Sequence, residues 1–215
     1  MLKISILLIV TFCISYFIGN FCGAIIISKK FVKRDIRDYG SSNAGTTNIS
    51  RVFGMKFGII TFIIDCFKGI LCVVLFRLLI TYIVSDYWGE FAGYIAGIAV
   101  ILGHNYPVIF KFKGGKGFAS VIGIFLAINP LMTVICLLGG LIILLSTDIM
   151  SVYAISFFIA TMLYSCILLD IHWSMKLCTA VYFILGVIAH KDNIKRLLKK
   201  EERKLGLRKK ILKIR

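Results

Sequence analysis

The chain has 215 residues, 59% of them apolar and only 17% charged, with a mean hydropathy of +0.93. Soluble domains run at about 45–50% apolar and about 25% charged, so a soluble globular protein is excluded and an integral membrane protein remains. The formal net charge of +16 is concentrated, with seven Lys or Arg in residues 29–56, three in 111–117 and twelve in 190–215. These clusters flank apolar runs, which points to anionic lipid headgroups and the positive-inside rule rather than to nucleic acid.

The apolar runs are continuous rather than alternating, which predicts helices and not barrel strands. They fall at 2–28, 53–84, 91–110, 118–128, 130–146, 149–168 and 177–190. The first is too long for a secretory h-region and lacks a small-residue cleavage site, so it reads as a retained helix. It leads into a polar island, Gly40 to Arg51, rich in Gly, Ser, Asn and Thr and preceded by Lys29, Lys30, Lys33, Arg34 and Arg37. Such a loop offers backbone N–H groups and hydroxyls as an anion nest, with Arg51 as a bidentate phosphate donor.

In the second run Asp65 and Lys68 lie one turn apart, which predicts a buried ion pair in a structural role. The connection Ser85–Glu90 is acidic with an aromatic pair, as is Asp170–Ser174, and both belong on the outer side. After the third run comes a second island, Gly103-His104-Asn105-Tyr106-Pro107 continuing to Lys113-Gly114-Gly115-Lys116-Gly117. It is no Walker A loop, since neither Ser nor Thr follows the lysine. A glycine-lysine loop opening onto a helix at Phe118 is still a phosphate site through amides and one point charge. His104, ending a span, is a candidate ligand.

Asn129-Pro130 splits the stretch 118–146 into a hairpin, because the residue before proline is driven out of the helical region. With that turn, all three basic islands and the C-terminal tail share one face. The expectation is a single all-α domain over residues 1–215: a polytopic bundle of about seven transmembrane helices, N-terminus outside, C-terminus cytoplasmic. Gly19/Gly23 and Gly93/Gly97 have the spacing that lets membrane helices approach closely. The third island places His190 and Asn193 on one helical face, and residues 190–215 read as a basic amphipathic tail with Ile194, Leu197, Leu198 and Leu205 in its stripe. The seven cysteines lie in or beside apolar runs without ligand spacing, so no metal and no cofactor is expected.

In order and spacing these islands resemble the acyl-phosphate-dependent bacterial glycerol-3-phosphate acyltransferases, the PlsY type. Its first motif is matched by Gly40, Ser41, Asn43, Gly45, Thr47, Asn48 and Arg51, with departures at Ser42 and Thr46. Asp65, Lys68 and Gly69 match a following Asp-x-x-Lys-Gly. Gly103, His104, Pro107, Val108, Phe112 and Lys113–Gly117 match the second motif. The third is matched by His190, Asn193, Ile194, Arg196, Leu197, Leu198, Glu202 and Lys204. A Thr-Arg-x-x-Ser pattern is kept as Thr147 and Ser151, but Asp148 stands where arginine is usual.

The resemblance covers almost the whole chain. It implies a bacterial cytoplasmic-membrane enzyme with its active site facing the cytoplasm. The reaction implied is transfer of a fatty acyl group from acyl phosphate to the sn-1 hydroxyl of glycerol 3-phosphate, giving lysophosphatidic acid and phosphate. Substrate contacts carry over to Ser41, Arg51, Lys116, Ser151, His190 and Asn193. His190, Asn193 and Ser41 are the catalytic candidates. Arg51, Lys116, Gly114, Gly115, Gly117, Ser151, Asn43, Thr47, Asn48 and His104 are the phosphate-binding ones.

Two phosphate dianions about 5 Å apart at an effective dielectric of 20 repel by about 13 kcal/mol, so cations and amide donors come first. Acyl-CoA and acyl carrier protein are competing donors, and the proton acceptor is either His190 or the donor's own phosphate. The competing class is a transporter or channel for a phosphorylated anion. Against it, the cationic islands all fall on one face, and no inverted repeat is evident.

Overall fold

Helix α1 (Leu2–Gly19) is apolar all round and ends at Asn20, where the chain breaks before the short α2 (Gly23–Ile27) and a wider turn, Ser28–Val32. A computed structural model describes residues 1–206, and their regular structure is entirely helical. The first island starts from a single turn, Ile36–Asp38, and passes into α3 (Thr46–Phe53). Gly54 then releases the 29-residue α4 (Met55–Ile83), followed by α5 (Asp86–Asn105), whose Asp86 complements the helix N-terminus.

The second island holds the turn Val108–Phe110 and opens onto α6 (Phe118–Ile128). Asn129 then caps α7 (Pro130–Thr147): its side chain accepts from the Met132 N–H at 2.9 Å, and Pro130 sits where a missing N–H costs nothing. The remaining helices are α8 (Met150–Ile167), α9 (Trp173–Ala189) and α10 (Lys191–Leu198).

Seven of these helices are apolar and at least 11 residues long, at the places the hydropathy marks. Five are long and apolar enough to cross a bilayer, and a sixth if α9 is joined to α10 through their 61° bend. Helix α6, at 11 residues, is about 16 Å long against about 30 Å of hydrocarbon. It lies instead against α4, where Gly123 faces the Cys66 carbonyl and Gly69 the Ser120 carbonyl, so closely that a Cβ at either would collide with backbone. Gly19 of α1 and Gly103 of α5 meet in the same way. Gly19 and Gly23 therefore serve different partners, α5 and α4, rather than one shared seam.

Phe76, Tyr94, Phe125, Phe157, Phe158 and Tyr182 form the centre of the core, and Tyr182 donates to the Tyr94 carbonyl at 2.6 Å. Outward faces carry Ile9, Phe17, Leu78, Ile142 and Leu163, as a lipid-facing surface requires.

The C-terminal segment differs from the expected amphipathic helix. Helix α10 stops at Leu198. Lys200 adopts a left-handed conformation (φ 59°), and the chain folds back, with the Glu201 N–H donating to the Arg196 carbonyl at 2.8 Å. Leu205 therefore does not extend the stripe of Ile194 and Leu197. What pulls the chain off the helical path is Glu202, whose carboxylate is anchored three ways, as described below. Residues 207–215 of the expected tail lie outside the described residues.

Candidate active site

The three islands meet. Arg37 clasps the first to the second, donating to the carbonyls of Phe110 at 3.0 Å and Lys113 at 3.1 Å while its fork grips Asp35. That guanidinium holds the Asp35 carboxyl well below the usual carboxylate range. Arg37, one of the cations that precede the first island, thus serves as a structural clamp. The second island meets the third where Lys116 Nζ donates to Asn193 Oδ1. Between the islands lies a cavity of about 660 Å³.

Ser41, Asn43, Thr47, Asn48 and Arg51 all line it. Thr47 and Arg51 do so because α3 sets them one turn apart on one face. Asn48 is 1% exposed and uses its side chain on the loop itself. Its Oδ1 accepts from the Ser41 N–H at 2.9 Å, and its Nδ2 donates to the carbonyls of Tyr39 and Asn43. It shapes the nest, leaving the anion to its neighbours.

Lys116, Gly117 and the first residues of α6 also face the cavity. Burial, and then the positive charge of Arg196, lower the Lys116 ammonium from its ordinary value. Gly114 and Gly115 depart from expectation and do not line the cavity. Their N–H groups donate back to the carbonyls of Asn105 at 3.2 Å and His104 at 3.1 Å, so neither amide is available to a phosphate. Their lack of a Cβ is what the fold uses, since one at Gly115 would meet His104 Nε2 and the Ala44 carbonyl.

His104 is 3% exposed and belongs to a buried ion cluster. Lys68 Nζ lies 2.8 Å from Asp65 Oδ1, 2.8 Å from His104 Nδ1, 2.9 Å from the Phe21 carbonyl and 3.1 Å from that of Gly19. An ammonium only donates, so His104 Nδ1 accepts and the ring proton sits on Nε2. The expected Asp65–Lys68 pair is present, and it also fixes a histidine tautomer and ties down the end of α1.

His190 shows the opposite arrangement. It stands at the α9–α10 bend, 4% exposed, with Nδ1 2.9 Å from the Gly186 carbonyl. A carbonyl only accepts, so Nδ1 carries the proton and Nε2 presents a lone pair. Asn193, one turn on, donates from Nδ2 to Glu202 at 2.6 Å; Ser151 donates to the same Glu202 oxygen at 3.0 Å. The other Glu202 oxygen accepts from Arg196 Nε at 2.6 Å. Burial raises the Glu202 carboxyl, but the hydrogen bonds from Asn193, Arg196 and Ser151 outweigh it and hold the group below its ordinary value.

Glu202, Arg196 and Arg203 are cavity residues to which sequence reasoning assigned no site role. The available signal was membership of the third motif, which includes Arg196 and Glu202 but not Arg203. The cavity continues along an apolar wall of Phe62, Phe118, Ile122, Leu137 and Tyr153. Phosphate-type donors and an apolar wall in one cavity suit an amphiphile with an anionic head.

A family model described as "Glycerol-3-phosphate acyltransferase" matches residues 9–200. A glycerol-3-phosphate acyltransferase of Finegoldia magna is 40% identical over 202 residues, 93% of this chain and 96% of that protein. "Glycerol-3-phosphate acyltransferase 2" of Bacillus anthracis is 37% identical, covering 92% of this chain and 98% of its own length. Among solved structures, PlsY, an integral membrane glycerol 3-phosphate acyltransferase, superposes in its glycerol 3-phosphate form with a TM-score of 0.84. The identity is 29%, over 95% of this chain and 98% of that one. Its lysophosphatidic acid form superposes with a TM-score of 0.80.

Proposed function

This chain belongs to the glycerol-3-phosphate acyltransferase family, and on that footing we propose that it transfers a fatty acyl group from acyl phosphate to the sn-1 hydroxyl of glycerol 3-phosphate. The products are lysophosphatidic acid and inorganic phosphate. The observation that carries the reading is one cavity in which Arg51, Lys116, Ser151, His190 and Asn193 converge beside an apolar wall. Two phosphorylated substrates need that density of cations and donors, and an acyl chain needs the wall.

In this reading Arg51, the Ser41 hydroxyl and the amides of Thr46 and Thr47 at the α3 N-terminus hold one phosphate, and Lys116 with the α6 N-terminus holds the other. The glycerol hydroxyl donates to His190 Nε2, whose lone pair faces the cavity because Nδ1 is tied to Gly186. The hydroxyl oxygen attacks the acyl carbonyl carbon, a new C–O ester bond forms, and the C–O bond to phosphate breaks. The proton passes from His190 to the departing phosphate, which leaves as hydrogen phosphate. His104 Nε2–H and the Asn193 amide are donors for the carbonyl oxygen as it gains charge. A mixed anhydride has a good leaving group, so no acyl-enzyme is required.

The setting proposed is the bacterial cytoplasmic membrane: one domain, seven apolar helices embedded in the bilayer with the short α6 shielded by its neighbours, N-terminus outside, C-terminus and cavity cytoplasmic. The uneven basic charge supports that orientation.

The test is purified protein in lipid or detergent with labelled glycerol 3-phosphate and, in parallel, acyl phosphate, acyl-CoA or acyl carrier protein. Labelled 1-acyl-glycerol 3-phosphate from acyl phosphate alone is expected. Product from acyl-CoA instead would overturn the donor, and none from any donor the reaction.

A further inference from the structure

Asp148 stands where the resemblance leads one to expect arginine, beside a cavity built for phosphate. It does not line that cavity. It ends α7 in a left-handed conformation (φ 61°), is 7% exposed, and receives the returning C-terminal segment. Its carbonyl accepts from the Leu205 N–H at 2.8 Å and its Oδ2 from the Gly206 N–H at 2.9 Å.

Three residues upstream the same segment is pinned from inside, by the bonds of Glu202 to Ser151, Asn193 and Arg196. Residues 202 to 206 thus form a strap across the cavity with both ends fixed. Arg203 lies between the two anchors and lines the cavity.

We propose that Arg203 grips the phosphate group of a substrate and that Asp148 is the positioning residue that holds the strap carrying it. This rests on the acyltransferase reading and goes beyond it, because the motifs behind that reading include neither residue in a binding role.

Charge supports the assignment. The cavity walls carry four cations (Arg51, Lys116, Arg196 and Arg203) against two anions, Asp192 and Glu202, once Asp65 is set against its partner Lys68. Arg196 is already engaged by Glu202 at 2.6 Å. Among the described residues Arg203 forms no ion pair, so its planar fork is available to a phosphate oxygen pair. An arginine on the α7–α8 turn could deliver a cation directly. Here an aspartate on that turn delivers one through the segment it binds. The acidic residue therefore leaves the phosphate site cationic.

The shared chemistry is a phosphate monoester or acyl phosphate dianion, and two kinetic arms separate the sources. Arg203→Ala is expected to raise KM for glycerol 3-phosphate or for acyl phosphate at least about ten-fold, the usual worth of one charge-assisted hydrogen bond, while kcat falls much less. Arg203→Lys recovers part of it, keeping the charge without the fork. Asp148→Gly tolerates the left-handed backbone but removes the side-chain acceptor, so it raises the same KM. Asp148→Asn, which keeps an acceptor oxygen, restores it. The double variant Asp148→Gly/Arg203→Ala is no worse than Arg203→Ala alone.

Unchanged KM for both substrates in Arg203→Ala would overturn the proposal, and effects that multiply in the double variant would overturn the role of Asp148. Calorimetric titration with glycerol 3-phosphate and with an acyl phosphonate reads the same loss of affinity without turnover. A wild-type protein that binds these ligands but transfers no acyl group would count against the reaction and not against Arg203.

Discussion

The two cavity histidines are held in opposite tautomers by partners that can play only one role each. The Lys68 ammonium makes His104 a donor at Nε2, and the Gly186 carbonyl makes His190 an acceptor there. Glu202 sits among the candidate ligands with a lowered carboxyl, so its contribution to stability is fully present above the ordinary carboxylate value of about 4.3. It is lost as pH falls through the lowered folded value. Glu202→Gln should therefore cost about 1–3 kcal/mol at neutral pH, with the difference in Tm from wild type shrinking below about pH 4. A difference that stays constant down to pH 3 would contradict this.

Arg51, Lys116, His190 and Asn193 stand out in the sequence as polar side chains at the edges of apolar runs and Ser151 through the family resemblance, and all five line the cavity. The fates of Gly114 and Gly115 were not legible there, since a glycine-rich loop looks equally donor-rich whether its amides face a ligand or turn back on the preceding helix.

At the scale of elements, the site depends on short pieces placed by close contacts. Helix α6 is brought against α4 through Gly69 and Gly123, and the loop before it reaches His104 only because Gly115 has no side chain. Gly115→Ala should lower stability by about 1–3 kcal/mol through overpacking, and displace His104 enough to reduce kcat. Thermal unfolding together with initial rates checks both, and an unaffected kcat would remove His104 from the reaction.

The clamp made by Arg37 is predicted to matter in a different way. Arg37→Ala should leave the helices intact and loosen the first island from the second, seen as faster proteolysis of residues 30–45. Asn129-Pro130 announced its turn in the sequence because proline acts locally. The strap after Leu198 did not, because its course is set by Ser151, Asn193 and Asp148, which approach it only in the folded chain.

At the scale of the molecule, aromatic and basic residues segregate to opposite ends. Tyr87, Trp88, Phe91, His172 and Trp173 cluster at the α4–α5 and α8–α9 turns, and the three islands gather at the other end. The proposed orientation is testable with single cysteines, because Cys13 and Cys166 are the exposed native ones among the seven. With those two replaced, Asp170→Cys should react with an impermeant maleimide added outside intact cells, and Lys113→Cys only after permeabilisation. The reverse pattern would invert the topology.

The Lys68 ammonium carries a last consequence, for the order in which the chain is built. It reaches from α4 to the Gly19 and Phe21 carbonyls, where α1 ends at the buried Asn20. Until α4 arrives those carbonyls lack the ammonium that satisfies them. The end of α1 is thus locked in place only after α4 has been made, waiting on a charge encoded some fifty residues downstream.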